Sequence, residues 1–273
     1  MAVAGAMLAV RLLEEWLIFW PTDRLFSAPQ RINLPVEDVE LEPVPGIHIF
    51  GWFVPHPSPR AAVLYLEGNG SNRSTRLGEV ALLGELGCSV LIVDYEGYGV
   101  SEGRPSEDAL YRDARAARNW IRTDPRTRDL PLILLGESLG GAVAIRLARE
   151  EPPAGLVVIS SFVDIASVVR KACKGVPLDR VLRSRYPSLE NIRYYHGPIL
   201  IIHGEDDELI PIHHGKRLFQ AADGRKGFLA IPHAGHNHNE LRRIGGRVYR
   251  LAIARFLDEV SGPHSRVDTA SLF

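Results

Sequence analysis

Cysteine is almost missing from this 273-residue chain. Only Cys88 and Cys173 are present, too few for a disulfide framework and without the paired spacing of a zinc site. An excess of charge of one sign is missing as well. The 32 Lys and Arg stand against 33 Asp and Glu, so no basic surplus is available to displace phosphate counterions, and a nucleic-acid partner is not expected. There is no internal repeat and no low-complexity tract. With 45% hydrophobic and 24% charged residues, the composition is that of a soluble globular protein. The length suits one large α/β domain with one core. The low cysteine content fits a reducing compartment, and a cytoplasmic location is expected.

A clean membrane span is also lacking. The apolar stretch from Val3 to Trp20 is interrupted by Arg11, Glu14 and Glu15. At 100° per residue these charges fall within one sector of about 100°, leaving the rest of a helix circumference apolar. Such a helix either docks on the domain's own core or lies at a membrane surface, which would make the protein a peripheral membrane contact. No Lys or Arg precedes the apolar run, and bulky Phe19, Trp20 and Pro21 follow it, which argues against a cleaved signal peptide. Residues 1–34 are therefore read as an apolar helix and its connection, 35–260 as the main domain, and 261–273 as a flexible tail.

Within the domain, residues 36–41 and 47–54 have the pattern of edge strands. Short apolar runs follow at residues 61–66, 90–93, 132–135, 156–159 and 199–202, separated by stretches long enough for helices. Runs of this kind mark parallel strands buried on both faces. Leu110, Ala114, Ala117 and Ile121 form one helical stripe, preceded by Ser106 as N-cap and by Glu107 and Asp108 at the positive end of the dipole. Residues 161–197 are too long for a simple connection and read as a small helical lid. This insertion carries seven basic residues against three acidic ones, a surplus that suits solvated surface, an anionic substrate or an anionic lipid surface.

The run at 132–135 leads directly into Gly136-Glu137-Ser138-Leu139-Gly140, and an amphipathic segment, Leu139 to Glu150, follows. A serine on a sharp strand-to-helix turn takes a strained backbone, and glycines two positions to either side let neighbouring backbone pass. A serine hydroxyl is weakly nucleophilic and needs a base that titrates near neutrality. In this arrangement an acid and then a histidine follow the serine along the chain. Asp207 is the expected acid, in the acidic turn after the run at 199–202, with Asp206 as its competitor. His236 is the expected base, in the turn after residues 228–231. His213, His214, His233 and His238 are read as ordinary surface or core histidines. A tetrahedral oxyanion needs two backbone donors, expected from Leu139 at the helix start and from Asn69 in the loop after residues 61–66.

Together these motifs resemble the α/β-hydrolase superfamily, over about Pro35 to Val260. The loop Gly68-Asn69-Gly70, the stretch Asp94-Tyr95-Glu96-Gly97-Tyr98-Gly99-Val100-Ser101-Glu102-Gly103 and the short insertion are similar to the small-cap branch. That branch holds bacterial esterases, putative peptidases and mammalian protein depalmitoylases. The resemblance implies an α/β-hydrolase fold: a mostly parallel sheet with helices on both faces and a small helical lid. It also implies a serine hydrolase acting on an ester, thioester or amide, with a small-molecule or acyl-chain substrate and neither cofactor nor metal. Members often carry an apolar N-terminal segment that meets a membrane. This chain has Glu67 where the family usually has His, so the loop is anchored differently. A non-catalytic binding protein on the same fold, and acyl transfer to an acceptor other than water, including perhydrolysis, are the rival readings.

Overall fold

The computed structural model describes residue 14 and residues 18–29, 35–173 and 182–262. Most of the expected N-terminal helix, residues 174–181 of the expected lid and residues 263–273 of the expected tail lie outside that set. Eight strands form one sheet: β1 (Glu37–Val44), β2 (Ile47–Val54), β3 (Ala61–Leu66), β4 (Cys88–Val93), β5 (Leu132–Glu137), β6 (Gly155–Ile159), β7 (Ile199–Gly204) and β8 (Lys226–Ile231). Their spatial order is β1-β2-β4-β3-β5-β6-β7-β8. The first two strands pair antiparallel with their neighbours, and the six from β3 onward run parallel. This is the α/β-hydrolase fold.

The parallel strands are uninterrupted apolar runs because both of their faces are covered. In β3, Ala62, Leu64 and Leu66 join one core cluster while Ala61, Val63 and Tyr65 join the other. In β5, Leu132 and Leu134 face the first cluster and Ile133 and Leu135 the second. The first cluster is covered by α2 (Glu107–Thr123) and α3 (Leu139–Glu150), and the second by α1 (Leu77–Glu85) and α7 (His238–Ser261). The helices α4 (Ile165–Ala172), α5 (Ser188–Asn191) and α6 (His213–Ala221) complete the set. Of these, α4 and α5 lie in the described part of the insertion between β6 and β7.

The stripe on α2 is buried as its spacing requires, with Leu110, Ala114 and Ala117 wholly inaccessible and Ile121 nearly so. Ser106 has extended backbone, and its Oγ accepts the Ala109 N–H at 3.1 Å. One of the orphan donors of the first turn is satisfied in this way.

The described N-terminal residues pack on the domain. Ile18 and Phe19 are buried in the first core cluster, and the Glu14 carboxylate accepts the backbone N–H groups of Arg183 and Ser184. Trp20, Leu25 and Phe26 remain exposed. Among the described residues no helix is long and apolar enough to cross a membrane.

Loss of the α2 cap gives a direct test of this local account. Ser106→Ala is expected to lower stability by about 1 kcal/mol, read as a lower urea midpoint with an unchanged slope.

Candidate active site

Strand β5 ends where the chain must turn sharply to enter α3, and Ser138 makes that turn with φ 52° and ψ −114°. This left-handed backbone is unfavourable for a residue with a Cβ, so surrounding contacts must hold it. The Ser138 N–H donates to the Ile159 carbonyl at 2.8 Å, and the Ser138 carbonyl accepts from Ser161 Oγ at 2.8 Å. The flanking glycines are dictated by close approach. A Cβ on Gly136 would lie 2.7 Å from the Gly141 Cα, and one on Gly140 would strike the Leu66 and Glu67 carbonyls. The motif therefore lets α3 press its first turn against the ends of β3 and β5.

The other two expected side chains arrive from the ends of β7 and β8. His236 Nε2 lies 3.1 Å from Ser138 Oγ, and His236 Nδ1 lies 2.8 Å from Asp207 Oδ2. The other oxygen, Asp207 Oδ1, accepts the Ile210 N–H at 2.7 Å. The Asp207 side chain is inaccessible to solvent. Burial pushes its carboxyl upward, but hydrogen bonds from His203 and His236 outweigh that effect and hold it at about 2. Asp206 does not compete for this position. Its side chain is 66% exposed and lies 3.8 Å from His233, which is itself 90% exposed.

The loop after β3 also reaches Ser138. A Cβ on Gly68 would lie 3.2 Å from the Ser138 Cβ, which brings the Gly68-Asn69 backbone against the hydroxyl-bearing residue. Leu139 opens α3, so its N–H is one of the four that a helix leaves without an internal acceptor. Asn69 does more than its backbone suggests. Its Oδ1 accepts from Trp20 N at 2.8 Å, Tyr98 OH at 2.8 Å and Gly70 N at 2.9 Å, while its Nδ2 donates to the Ile18 carbonyl. Asn72 similarly donates to the Thr22 and Arg24 carbonyls. The two amides strap the N-terminal segment along the loop.

A cavity of about 320 Å³ opens beside Ser138 and His236. Phe26, Ser71, Thr75, Asn237 and Asn239 contribute to its wall. Phe26 brings the N-terminal segment to this wall, and the described residues of the insertion at 161–197 are not part of it. Behind the serine lies a buried polar network invisible to motif reading. Arg76 grips Glu137 in two places, Nε to Oε2 at 2.8 Å and Nη2 to Oε1 at 3.0 Å. Tyr65 OH donates to Glu137, and His238 lies 3.1 Å from Glu79, which also accepts from Tyr249 OH. Burial works against the Glu137 charge, but Arg76 and then His238 bring its carboxyl below the usual range.

His203 was also missed by sequence reasoning. It is wholly buried, its Nε2 lies 2.7 Å from the Ile210 carbonyl and 3.5 Å from Asp207 Oδ2. The available signal was its position four residues before Asp207 at a strand end. Among the described residues no group of three or more His, Cys, Asp or Glu is arranged to hold a metal ion.

Because the folded Asp207 carboxyl sits below its unfolded value of about 4, its contribution is present above that value and lost as pH falls toward the folded one. Asp207→Asn is expected to cost about 2 kcal/mol at neutral pH. The difference from the native chain should shrink between about pH 4 and pH 2, measured by urea denaturation across that range.

Comparison with known proteins agrees with this architecture. Residues 57–194 match the family model described as "Serine aminopeptidase, S33". Uncharacterized protein Rv2307c of Mycobacterium tuberculosis is 38% identical over 263 residues, 96% of this chain and 93% of its own length. Lysophosphatidylserine lipase ABHD12 of Gallus gallus is 34% identical over 63% of this chain and 50% of its own length. The solved esterase Pf2001 of Pyrococcus furiosus shares the fold with a TM-score of 0.77 at 18% identity, covering 90% of this chain and 98% of that one. Sheet order, strand-to-helix turn and these matches agree: the chain belongs to the α/β-hydrolase superfamily, in the branch described by the S33 model.

Proposed function

We propose that this α/β hydrolase cleaves a carboxylic ester or thioester through an acyl-enzyme formed on Ser138. The observation that carries the reading is the continuous hydrogen-bonded chain from Ser138 Oγ through both nitrogens of His236 to Asp207. Ser138 Oγ attacks the acyl carbonyl carbon, and His236 Nε2 takes the hydroxyl proton. Asp207 steadies the imidazolium and fixes its tautomer through Nδ1–H. The N–H groups of Leu139 and Asn69 receive the negative charge on the former carbonyl oxygen. As the tetrahedral species collapses, the bond to the leaving group breaks and His236 returns the proton to it. Water then attacks the acyl-enzyme by the same route, releasing the acid and regenerating Ser138.

An acyl-chain substrate is favoured over a small polar one by the exposed apolar side chains next to the cavity. Phe26 lines it, and Trp20 and Leu25 are exposed on the same strap. ABHD12 of Gallus gallus, similar to part of this chain, is a lysophosphatidylserine lipase, which supports this class of substrate. The strap is also where a lipid surface would be met, so the peripheral membrane contact belongs to this reading.

A fluorophosphonate probe is expected to label the native protein and not Ser138→Ala. Hydrolysis of p-nitrophenyl esters should fall by about 10⁴ or more in that variant. Equal labelling of both proteins would remove Ser138 from the reaction. Across p-nitrophenyl esters of increasing chain length, Phe26→Ala is expected to reduce kcat/KM more for long chains than for acetate. A uniform effect would count against an acyl-chain site at the strap.

A further inference from the structure

Glu67 immediately precedes the loop that lies against Ser138, and it is wholly buried. Neither of its carboxyl oxygens meets an N–H or O–H donor. Its neighbour is a second buried carboxyl, that of Asp94: each lies two residues beyond the paired Tyr65 and Ile92 of the adjacent parallel strands β3 and β4, and the Asp94 charge acts on Glu67. A hydrogen bond between two carboxyls requires a proton on one of them. Asp94 has cationic support, because its Oδ1 accepts the Arg73 N–H at 2.7 Å and its Oδ2 pairs with the Arg73 guanidinium. The nearby Arg76 is committed to Glu137. Of the three buried carboxyls, Glu67 alone is therefore left without a guanidinium of its own. Tyr95 and Tyr98 also face it and supply no positive charge. Their hydroxyls are directed elsewhere, to the Glu67 carbonyl and to Asn69.

We propose that Glu67 is a positioning residue that is uncharged in the working protein: its carboxyl O–H donates to Asp94 and thereby holds the Gly68-Asn69 backbone against Ser138. The loop from Glu67 to Arg73 is then closed at both ends upon a single carboxylate, Asp94. Burial first, and the Asp94 charge second, push the Glu67 carboxyl well above the usual carboxylate range. Its deprotonation at high pH places two carboxylates in contact, releases the first end of the loop and withdraws the Asn69 N–H from the oxyanion. The role rests on the acyl-transfer reading, whereas the protonation state stands apart from it.

The test combines infrared spectroscopy with kinetics on sites counted by fluorophosphonate titration. At neutral pH the native chain is expected to show a protonated-carboxyl carbonyl band that is lost in Glu67→Gln. The amide of Glu67→Gln still donates to Asp94, so kcat should stay within about threefold of native, and the native fall in kcat at alkaline pH should be absent or weaker. Glu67→Leu keeps bulk but has no donor, and is expected to lower kcat by about 10- to 100-fold with KM within about twofold, the pattern of a weakened oxyanion site. The proposal is overturned if the band is the same in both proteins, if Glu67→Leu turns over like the native chain, or if Glu67→Gln is as slow as Glu67→Leu. Should Glu67→Leu fail to fold, the band and the alkaline profile of Glu67→Gln decide the matter. Failure of the native protein to take up the probe would overturn the acyl-transfer reading while leaving the infrared result to stand or fall separately.

Discussion

The site depends on how closely α3 is driven into the ends of β3 and β5. Backbone meets backbone at Gly136, Gly140 and Gly141, and a side chain at the first two would collide with carbonyls or Cα atoms. That contact forces Ser138 into its left-handed conformation and holds its hydroxyl at the sheet rim. It also places the first turn of α3 beside the end of β3 and the loop that follows, where Gly68 lies against Ser138. A strained residue persists only where neighbours over-determine it. Here the Ile159 carbonyl and the Ser161 hydroxyl do so from β6 and the residues just after it.

Electrostatics divide the surroundings of the serine into two regimes. On the open side, Asp207 is charged because His203, His236 and the Ile210 N–H stabilise its ionised form. On the closed side, buried charge is tolerated by strict pairing, Arg76 with Glu137 and Arg73 with Asp94. Breaking such a pair would leave an uncompensated buried ion, which costs far more than loss of a surface salt bridge. One pair holds Glu137, the residue before Ser138, and the other ties Arg73, at the end of the loop after β3, to Asp94.

Much of this was legible in the sequence, and the limits have physical causes. The parallel strands were readable because burial on both faces leaves continuous apolar runs, and α2 because Ser106 and a four-residue stripe mark its start and its buried side. Ser138 stood out because its turn demands glycine on both sides. Asp207 could be separated from Asp206 only in three dimensions, since one residue of phase in a turn decides which carboxylate faces inward. The Glu67 environment was not readable at all: its partner Asp94 follows another strand, and neighbourhood across a parallel sheet is set by strand order. Phe26 at the cavity wall was not readable for a similar reason. It precedes the first strand by eleven residues, and only the fold carries it to a wall formed otherwise by the loops after β3, β5 and β8.

That strap has a consequence for the order in which the protein matures. Three hydrogen bonds to Asn69 Oδ1 and one from its Nδ2 draw on residues near the start of the chain, on Tyr98 and on the adjacent Gly70. The loop that completes the site is thus stitched from segments that leave the ribosome far apart in time. The earliest of them, Ile18 to Trp20, has its Asn69 partner only once the chain has been made through the loop after β3. The rim beside the serine is therefore joined from pieces made at different times, and its last stitch cannot precede the making of Tyr98.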